Sequence, residues 1–442
     1  MARPTRIVVV GGGFAGFHAA RALLRSLPRD AGIEIVLVNR TDYFLYLPLL
    51  PEVAAAVVDP RRVTVSLPAT LPGVRLALGD VTSVSLDAHE LSYTDPEGGT
   101  HVLGYDRLIL AAGSVNKLLP IPGVAEHAHG FRGVAEALYL RDHVIRQVEL
   151  AAGTRDTAER DARCTFVVVG AGYTGTEVAA QGPLLTEAIA RGHAELSGQR
   201  MRWLLLDLAP RVLPELHQRL AGAAERVLRG RGVEVLTGTT VSEATMDGVR
   251  LSTGEFVAAR SLVWCVGVRP DPLVEQAGVP TAKGRLVVES TLVVPGHPDV
   301  YACGDAAAVP DLTRPGELTA MTAQHATRQG TLAGRNVAAS LGYGAARRYK
   351  HHDLGFVVDL GGRKAAANPL HIPLSGLPAK VVTRGYHLLA MPGNRVRTAT
   401  DWLLDAVLGR QTVQLGLVRS AAVPLVTGPV TPAAPVVART DG

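Results

Sequence analysis

Residues 8–16 read VVVGGGFAG and residues 167–175 read VVVGAGYTG. The chain writes one glycine spacing twice, and the reading of that spacing decides the fold. Each loop follows a β-branched run, RIVVV or TFVVV, which predicts a buried strand. A helical pattern follows each, FHAARALLRSL or TEVAAQGPLLTEAIA. Gly11-x-Gly13-x-x-Gly16 and Gly170-x-Gly172-x-x-Gly175 therefore sit at strand-to-helix turns. The first glycine permits the tight turn and the second lets the backbone approach a pyrophosphate. The third lets the helix pack on the strand, with its N-terminus facing the anion. One such loop is a weak signal. Two, each in the right context, predict an α/β chain with two Rossmann-like dinucleotide-binding domains.

The strand that follows each loop's helix decides what sits on the ribose. RWLLLDLAP ends in Asp207, whose carboxylate can bond ribose hydroxyls and repel a 2′-phosphate, favouring NADH over NADPH. EIVLVNRTD ends in Asn39-Arg40 instead. That pair suits a 2′-phosphate, yet an asparagine also bonds a ribose hydroxyl, so FAD stays open at the first loop. Far along the chain DVYACGDAAAV ends a strand in Gly304-Asp305, a pair that flavoproteins with two dinucleotide folds use to hold the flavin ribityl and phosphate. YDRLILAAGS and SLVWCVGVRP are the matching strands that close each half, with Gly113 and Gly267 at their turns. This order predicts a discontinuous FAD domain, 1–118 and 286–345, with an NADH domain, 119–285, inserted in it. Phe14, Ala15, Val81 and Ala112 are placed with the FAD, and Tyr173 with the NADH.

Composition agrees with a globular chain: 442 residues, 47% hydrophobic and 19% charged. No run of 18 apolar residues predicts a membrane-crossing helix. The start, MARPTRIVVVGGG, turns into a glycine loop too soon for a secretory signal, so a cytoplasmic location is expected. Cys164, Cys265 and Cys303 are scattered and form no CxxC, which argues against a disulfide framework, a metal site or a dithiol centre. Cys265 and Cys303 are expected as core thiols. Net charge is +5, but Arg347–Ser420 holds eleven Lys/Arg against four Asp/Glu. Charge so confined suits an anionic membrane surface better than a nucleic acid.

With these motifs, and with DYFLYLPLLPEVAAAVVDPRRV and TAQHATRQGTLAGRN, the chain resembles the type II NADH:quinone oxidoreductases over roughly residues 5–420. These belong to the larger group of two-dinucleotide-binding, glutathione-reductase-like flavoprotein reductases. The resemblance implies FAD held by Gly11, Gly13, Gly16, Gly304 and Asp305, with Pro48 and Leu49 lining the flavin. It implies NADH held by Gly170, Gly172, Gly175 and Asp207. Glu177 matches the acid placed beside the nicotinamide; an acid serving the helix dipole is the simpler reading. In AQHATRQG, Gln324 matches the first of two glutamines that the family spaces four apart. Arg328 stands where the second is expected, and Gln329 is turned about 100° from that face. His325 could approach the flavin ring or simply pack. Electrons would leave near Gln324 and Arg328 for a quinone, without proton pumping. The arginine also suits another acceptor, which keeps open a soluble NAD(P)H-dependent reductase serving a protein or small molecule. A sulfide:quinone reductase lacks its cysteines here, and a redox-sensing flavoprotein is a third reading.

Two amphipathic helices are expected in the C-terminal region, 346–420. One, in PAKVVTRGYHLLAM, gathers Lys380, Thr383, Arg384 and His387 on a polar face. The other, RTATDWLLDAVL, sets Asp401 and Asp405 away from Trp402, Leu403 and Ala406. They would pack on the flavin domain, pair two subunits in a homodimer, or lie on the inner face of the cell membrane with Lys/Arg at the headgroups. Residues 421–442 are expected as a loose tail.

Overall fold

A computed structural model describes residues 3–426. Two parallel sheets organise the chain. The first runs in the order Val293–Val294, His297–Ala302, Arg107–Leu110, Thr5–Val10, Ile33–Asn39, Val74–Leu78. Val9 sits between Leu37 and Ile109 in register, and only the edge pair at 293–302 is antiparallel. The second orders Val233–Thr237, Arg202–Asp207, Thr165–Val169, Ser261–Trp264, with Val168 between Leu205 and Val263. All of Thr165–Val169 is buried: Phe166 and Val168 pack into the main core, while Val167 and Val169 pack with Val241, Val249 and Val257 of a three-stranded antiparallel sheet on the other face. Each glycine loop opens a helix, Phe14–Ser26 in one half and Tyr173–Ala190 in the other.

The halves are joined by a ribbon in which Ser114–Asn116 pairs antiparallel with Val268–Pro270. Helix Ala323–Ser340 packs on Phe14–Ser26 so closely that a Cβ on Gly330 would lie 1.9 Å from the Ala15 carbonyl oxygen. The C-terminal region is a small sheet, Val357–Asp359, Ala365–Ala367 and Leu374–Ser375, followed by helices Gly376–Ala390 and Arg395–Leu408. Among the described residues no helix is long and apolar enough to cross a membrane.

Two expectations are corrected here. Residues 421–426, the described start of the expected loose tail, dock on the fold: Val423 and Leu425 are buried, and the Asn116 amide donates to the Leu425 carbonyl at 3.3 Å. Residues 427–442 lie outside the described residues. The C-terminal helices are amphipathic, but their polar sides face inward. Lys380, Thr383 and His387 are buried, while Leu389 is 77% and Val396 80% exposed. Asp401 likewise turns in to accept from Arg62 at 3.1 Å.

Candidate functional site

The two loops are built alike. Gly11 has φ +91° and Gly170 φ +102°, and a Cβ on either would lie 2.4 or 2.2 Å from a carbonyl oxygen of the adjoining strand end, Ala111 or Cys265. Only glycine fits both the angle and the approach. Around Gly13 and Gly172 the space is open, which is what a pyrophosphate needs. The residue at the end of each second strand ties its loop. Asn39 Oδ1 accepts from Gly12 N–H at 2.7 Å, and Asp207 Oδ2 accepts from Ala171 N–H at 2.5 Å. Arg40 pairs with Asp80 at 2.7 Å and Asp271 at 3.5 Å, so two carboxylates already answer its charge.

Two adjoining cavities, of about 450 and 230 Å³, meet at Gly13, Gly113, Ser114 and Arg132. The smaller is lined by Gly11, Asn39, Arg40, Val81 and Ala112. Phe14, Ala15, Pro48, Gly304 and Asp305 line the larger, and so do Thr174, Cys265 and Gly267 from the second half. Gly16 and Leu49 lie behind the walls, Leu49 in the hydrophobic core. Arg132 was not singled out from sequence. Its Nη1 is buried without a partner, its Nη2 donates to Ser114 Oγ at 3.2 Å, and Ser114 donates to Asp305 Oδ2 at 2.5 Å. An orphaned guanidinium nitrogen between two glycine-walled cavities fits the phosphates of FAD. Cys303 is fully buried in the core as expected, Cys265 is half-buried and packs against it, and both also border the larger cavity. Burial pushes both thiols up to about 12, so they stay protonated at neutral pH.

Gln324, His325 and Arg328 come together on the segment 349–355. Gln324 Nε2 donates to the Gly355 carbonyl at 2.7 Å and leaves Oε1 buried without a partner. Arg328 Nη1 donates to the His352 carbonyl and lies 3.1 Å from His351 Nδ1. His325 is buried, bonds Tyr349 Oη at 2.8 Å and stacks on His351. Burial lowers its pKa to about 4, which keeps it neutral, and it lines neither cavity. Gln329, offset in the sequence pattern, accepts from Gly304 N–H at 2.8 Å and so holds the Gly304-Asp305 turn.

Behind the second loop Glu177 joins a buried polar cluster whose other members no sequence motif announced. Lys380 Nζ donates to Asp359 at 2.7 and 2.5 Å and lies 3.7 Å from Glu52. Trp402 Nε1 donates to Glu52, and Glu177 Oε1 accepts from Asp359 N–H at 2.9 Å. Burial pushes the Glu177 carboxyl well above the carboxylate range. Tyr173, at the start of the same helix, stacks on Phe356. Burial and then Asp359 push the Glu52 carboxyl up to about 7. An acid whose pKa is higher folded than unfolded holds its proton better in the native state. Its penalty is absent below about pH 4.5, grows as pH rises and is complete above about pH 7. Glu52→Gln should therefore raise stability relative to wild type by an amount that grows between these values and then levels. Denaturant titrations across the range measure it; a gain independent of pH would mean that another group titrates.

Comparison with known proteins places this geometry. The family model described as pyridine nucleotide-disulphide oxidoreductase matches residues 5–330. The chain is 31% identical over 428 residues to the type II NADH:quinone oxidoreductase NdhA of Mycobacterium tuberculosis, covering 93% of this chain and 89% of that one. It is 29% identical over 414 residues to the demethylphylloquinone reductase NdbB of Synechocystis, covering 91% and 96%. It shares its fold with the solved structure of NDH2 from Plasmodium falciparum in complex with NADH. There the TM-score is 0.84 at 16% identity, covering 93% of this chain and 100% of that chain.

Proposed function

The chain belongs to the type II NADH:quinone oxidoreductases, within the pyridine nucleotide-disulphide oxidoreductases, and from that premise we propose how its residues divide the work. The enzyme uses FAD to carry electrons from NADH to a quinone. Bound FAD supplies the redox centre, accepting two electrons as hydride and yielding them to the acceptor. The observation that carries the reading is one cavity walled by both glycine-loop halves, Phe14 and Asp305 facing Thr174 and Gly267.

On the flavin side, the Gly11–Gly13 backbone and Arg132 Nη1 hold the pyrophosphate, while Ser114 and Asp305 position the ribityl chain. Asn39 keeps a second lone pair for the adenine ribose. On the donor side, Gly170, Gly172 and Gly175 seat the NADH phosphates, and Asp207 takes the ribose. Glu177, whose carboxyl burial pushes up, is the acid we assign to the nicotinamide side. Gln324 offers its free Oε1 to a quinol hydroxyl. Arg328, anchored through Nη1, turns its remaining N–H groups to the oxygen that gains negative charge. A stopped-flow experiment under nitrogen tests the division. NADH should bleach the flavin, and a menaquinone analogue should restore its colour. In Arg328→Gln the restoration should slow by roughly tenfold to a hundredfold while the bleaching stays fast. Equal slowing of both steps would remove Arg328 from the acceptor side.

The outward apolar faces of the two C-terminal helices favour peripheral attachment to a bilayer on the cytoplasmic side, where the quinone dissolves. Leu389 on the first helix, with Val396, Leu403 and Val407 on the second, forms the contact. Leu389→Ser/Val396→Ser/Val407→Ser should release the enzyme from vesicles. Turnover with a vesicle-borne quinone should fall and turnover with a water-soluble one should hold. A dimer that sediments as a monomer only in this variant would assign the same face to a second subunit instead.

A further inference from the structure

The helices Phe14–Ser26 and Ala323–Ser340 do more than carry the flavin loop. Gly330 and Gly334 bring their backbones together, since a Cβ on Gly334 would lie 2.4 Å from the Ala19 carbonyl oxygen. Side chains one turn further along then face each other across the outer groove. His18, Arg21 and Arg25 come from the first helix and Thr331 and Arg335 from the second. With Ser26 they wall a cavity of about 190 Å³, and no carboxylate lines it.

Three guanidinium groups, half-buried Arg21 and exposed Arg25 and Arg335, line one small cavity and repel each other, and a bound anion would offset that repulsion. Burial, and then the neighbouring cations Arg25 and Arg395, lower the Arg21 pKa. Burial, Arg21 and Arg25 lower His18 to about 4, so the ring is neutral at physiological pH and its N–H adds a donor. Arginine forks with one hydroxyl and one imidazole match the oxygens of a phosphate group. None of these residues lines either nucleotide cavity, so the groove is not part of the electron path.

We propose that this groove is a binding pocket for a phosphate-bearing anion. Its setting gives two sources for that chemistry. Arg395 opens the helix that carries exposed Val396 and lies near enough to act on the Arg21 charge, so the headgroup of an anionic phospholipid at that apolar face is one source. Free phosphate presents the same oxygens from solution.

The test uses the flavin-loaded, full-length enzyme. Arg21→Gln/Arg25→Gln/Arg335→Gln is compared with a control that removes the same charge elsewhere, Arg200→Gln/Arg250→Gln/Arg314→Gln. One arm titrates inorganic phosphate by calorimetry. The other floats the protein with phosphatidylcholine vesicles, with and without phosphatidylglycerol. The pocket variant should lose binding by roughly a hundredfold relative to the control, the scale of three basic residues at an anionic surface. Its flavin should still be bleached by NADH at the wild-type rate. A loss confined to phosphatidylglycerol vesicles assigns the pocket to a lipid headgroup. A loss confined to inorganic phosphate assigns it to the free ion. Equal behaviour of pocket variant and control in both arms overturns the proposal, as does a wild-type enzyme that binds neither probe. If the triple variant does not fold, the single exposed change Arg335→Glu should weaken the same arm relative to Arg314→Glu, and equality there overturns the proposal too.

Discussion

Gly11→Ala is expected to purify as a colourless protein. The residue holds φ +91°, and the added Cβ would lie 2.4 Å from the Ala111 carbonyl oxygen. The angle alone costs about 1–3 kcal/mol, and the overlap forces the loop away from the strand end. Either the loop moves or Ala111 does, and Ala111 belongs to the wall of both cavities. The N–H groups that meet the pyrophosphate then lose their aim. A weakening of about 4 kcal/mol, roughly a thousandfold in affinity, is the expected scale. The flavin-to-protein absorbance ratio and FAD titration of the apoprotein measure it. Gly170→Ala repeats the experiment in the other half, with φ +102° and a Cβ 2.2 Å from the Cys265 carbonyl oxygen. It should stay yellow and resist bleaching by NADH. A fully yellow Gly11→Ala protein would move the pyrophosphate elsewhere.

The second large effect is expected at Lys380→Met. Lys380 is 4% exposed and is the cation that Asp359 and Glu52 share. Removing it leaves two carboxylates facing each other with Glu177 close by, all withdrawn from water. Breaking a buried pair this way costs about 3–5 kcal/mol. The cost falls first on the fit of Gly376–Ala390 against the sheet strand Val357–Asp359. Denaturant unfolding and the rate of proteolysis within 376–408 should both report the loosening. Asp359→Asn in the same chain should restore much of the loss, because the double variant removes both charges of the pair. A double variant as weak as the single would mean that Lys380 acts through packing alone.

Both predictions rest on residues of opposite legibility. Gly11 and Gly170 could be found from letters, because a tight turn beside a strand end is a local demand that only glycine meets. Asp207 and Asn39 were placed by counting along the next strand, and each does reach its loop. Lys380 offered no such signal. Helical spacing put it on a polar face with Thr383 and His387, but periodicity gives the axis of a helix and not the side that turns inward. Its partner Glu52 lies hundreds of residues away and Asp359 sits on the strand Val357–Asp359, and only the assembled fold brings them together. Arg132 was hidden for the same reason: nothing near it in sequence marks the junction of two cavities. Leu425 escaped because a Pro- and Val-rich end has no period, although a single apolar side chain can still be captured by an existing core.

Where Ser114–Asn116 pairs with Val268–Pro270, the chain leaves the flavin half and returns to it at one spot. The stretch between those strands is thus a cassette with adjoining ends, and such a unit can be exchanged without re-threading its host. If the donor contacts lie in the cassette and the acceptor contacts in the frame, as proposed above, the choice of electron donor and the choice of electron acceptor become separately heritable traits. The condition is that a replacement keeps its grip on the frame. Glu177 meets the backbone of Asp359, and Arg231 donates to the Gly361 carbonyl at 2.9 Å. A lineage that holds those two clasps, and keeps Arg132 of the cassette in the wall of the flavin cavity, can change its reductant and leave its quinone chemistry intact.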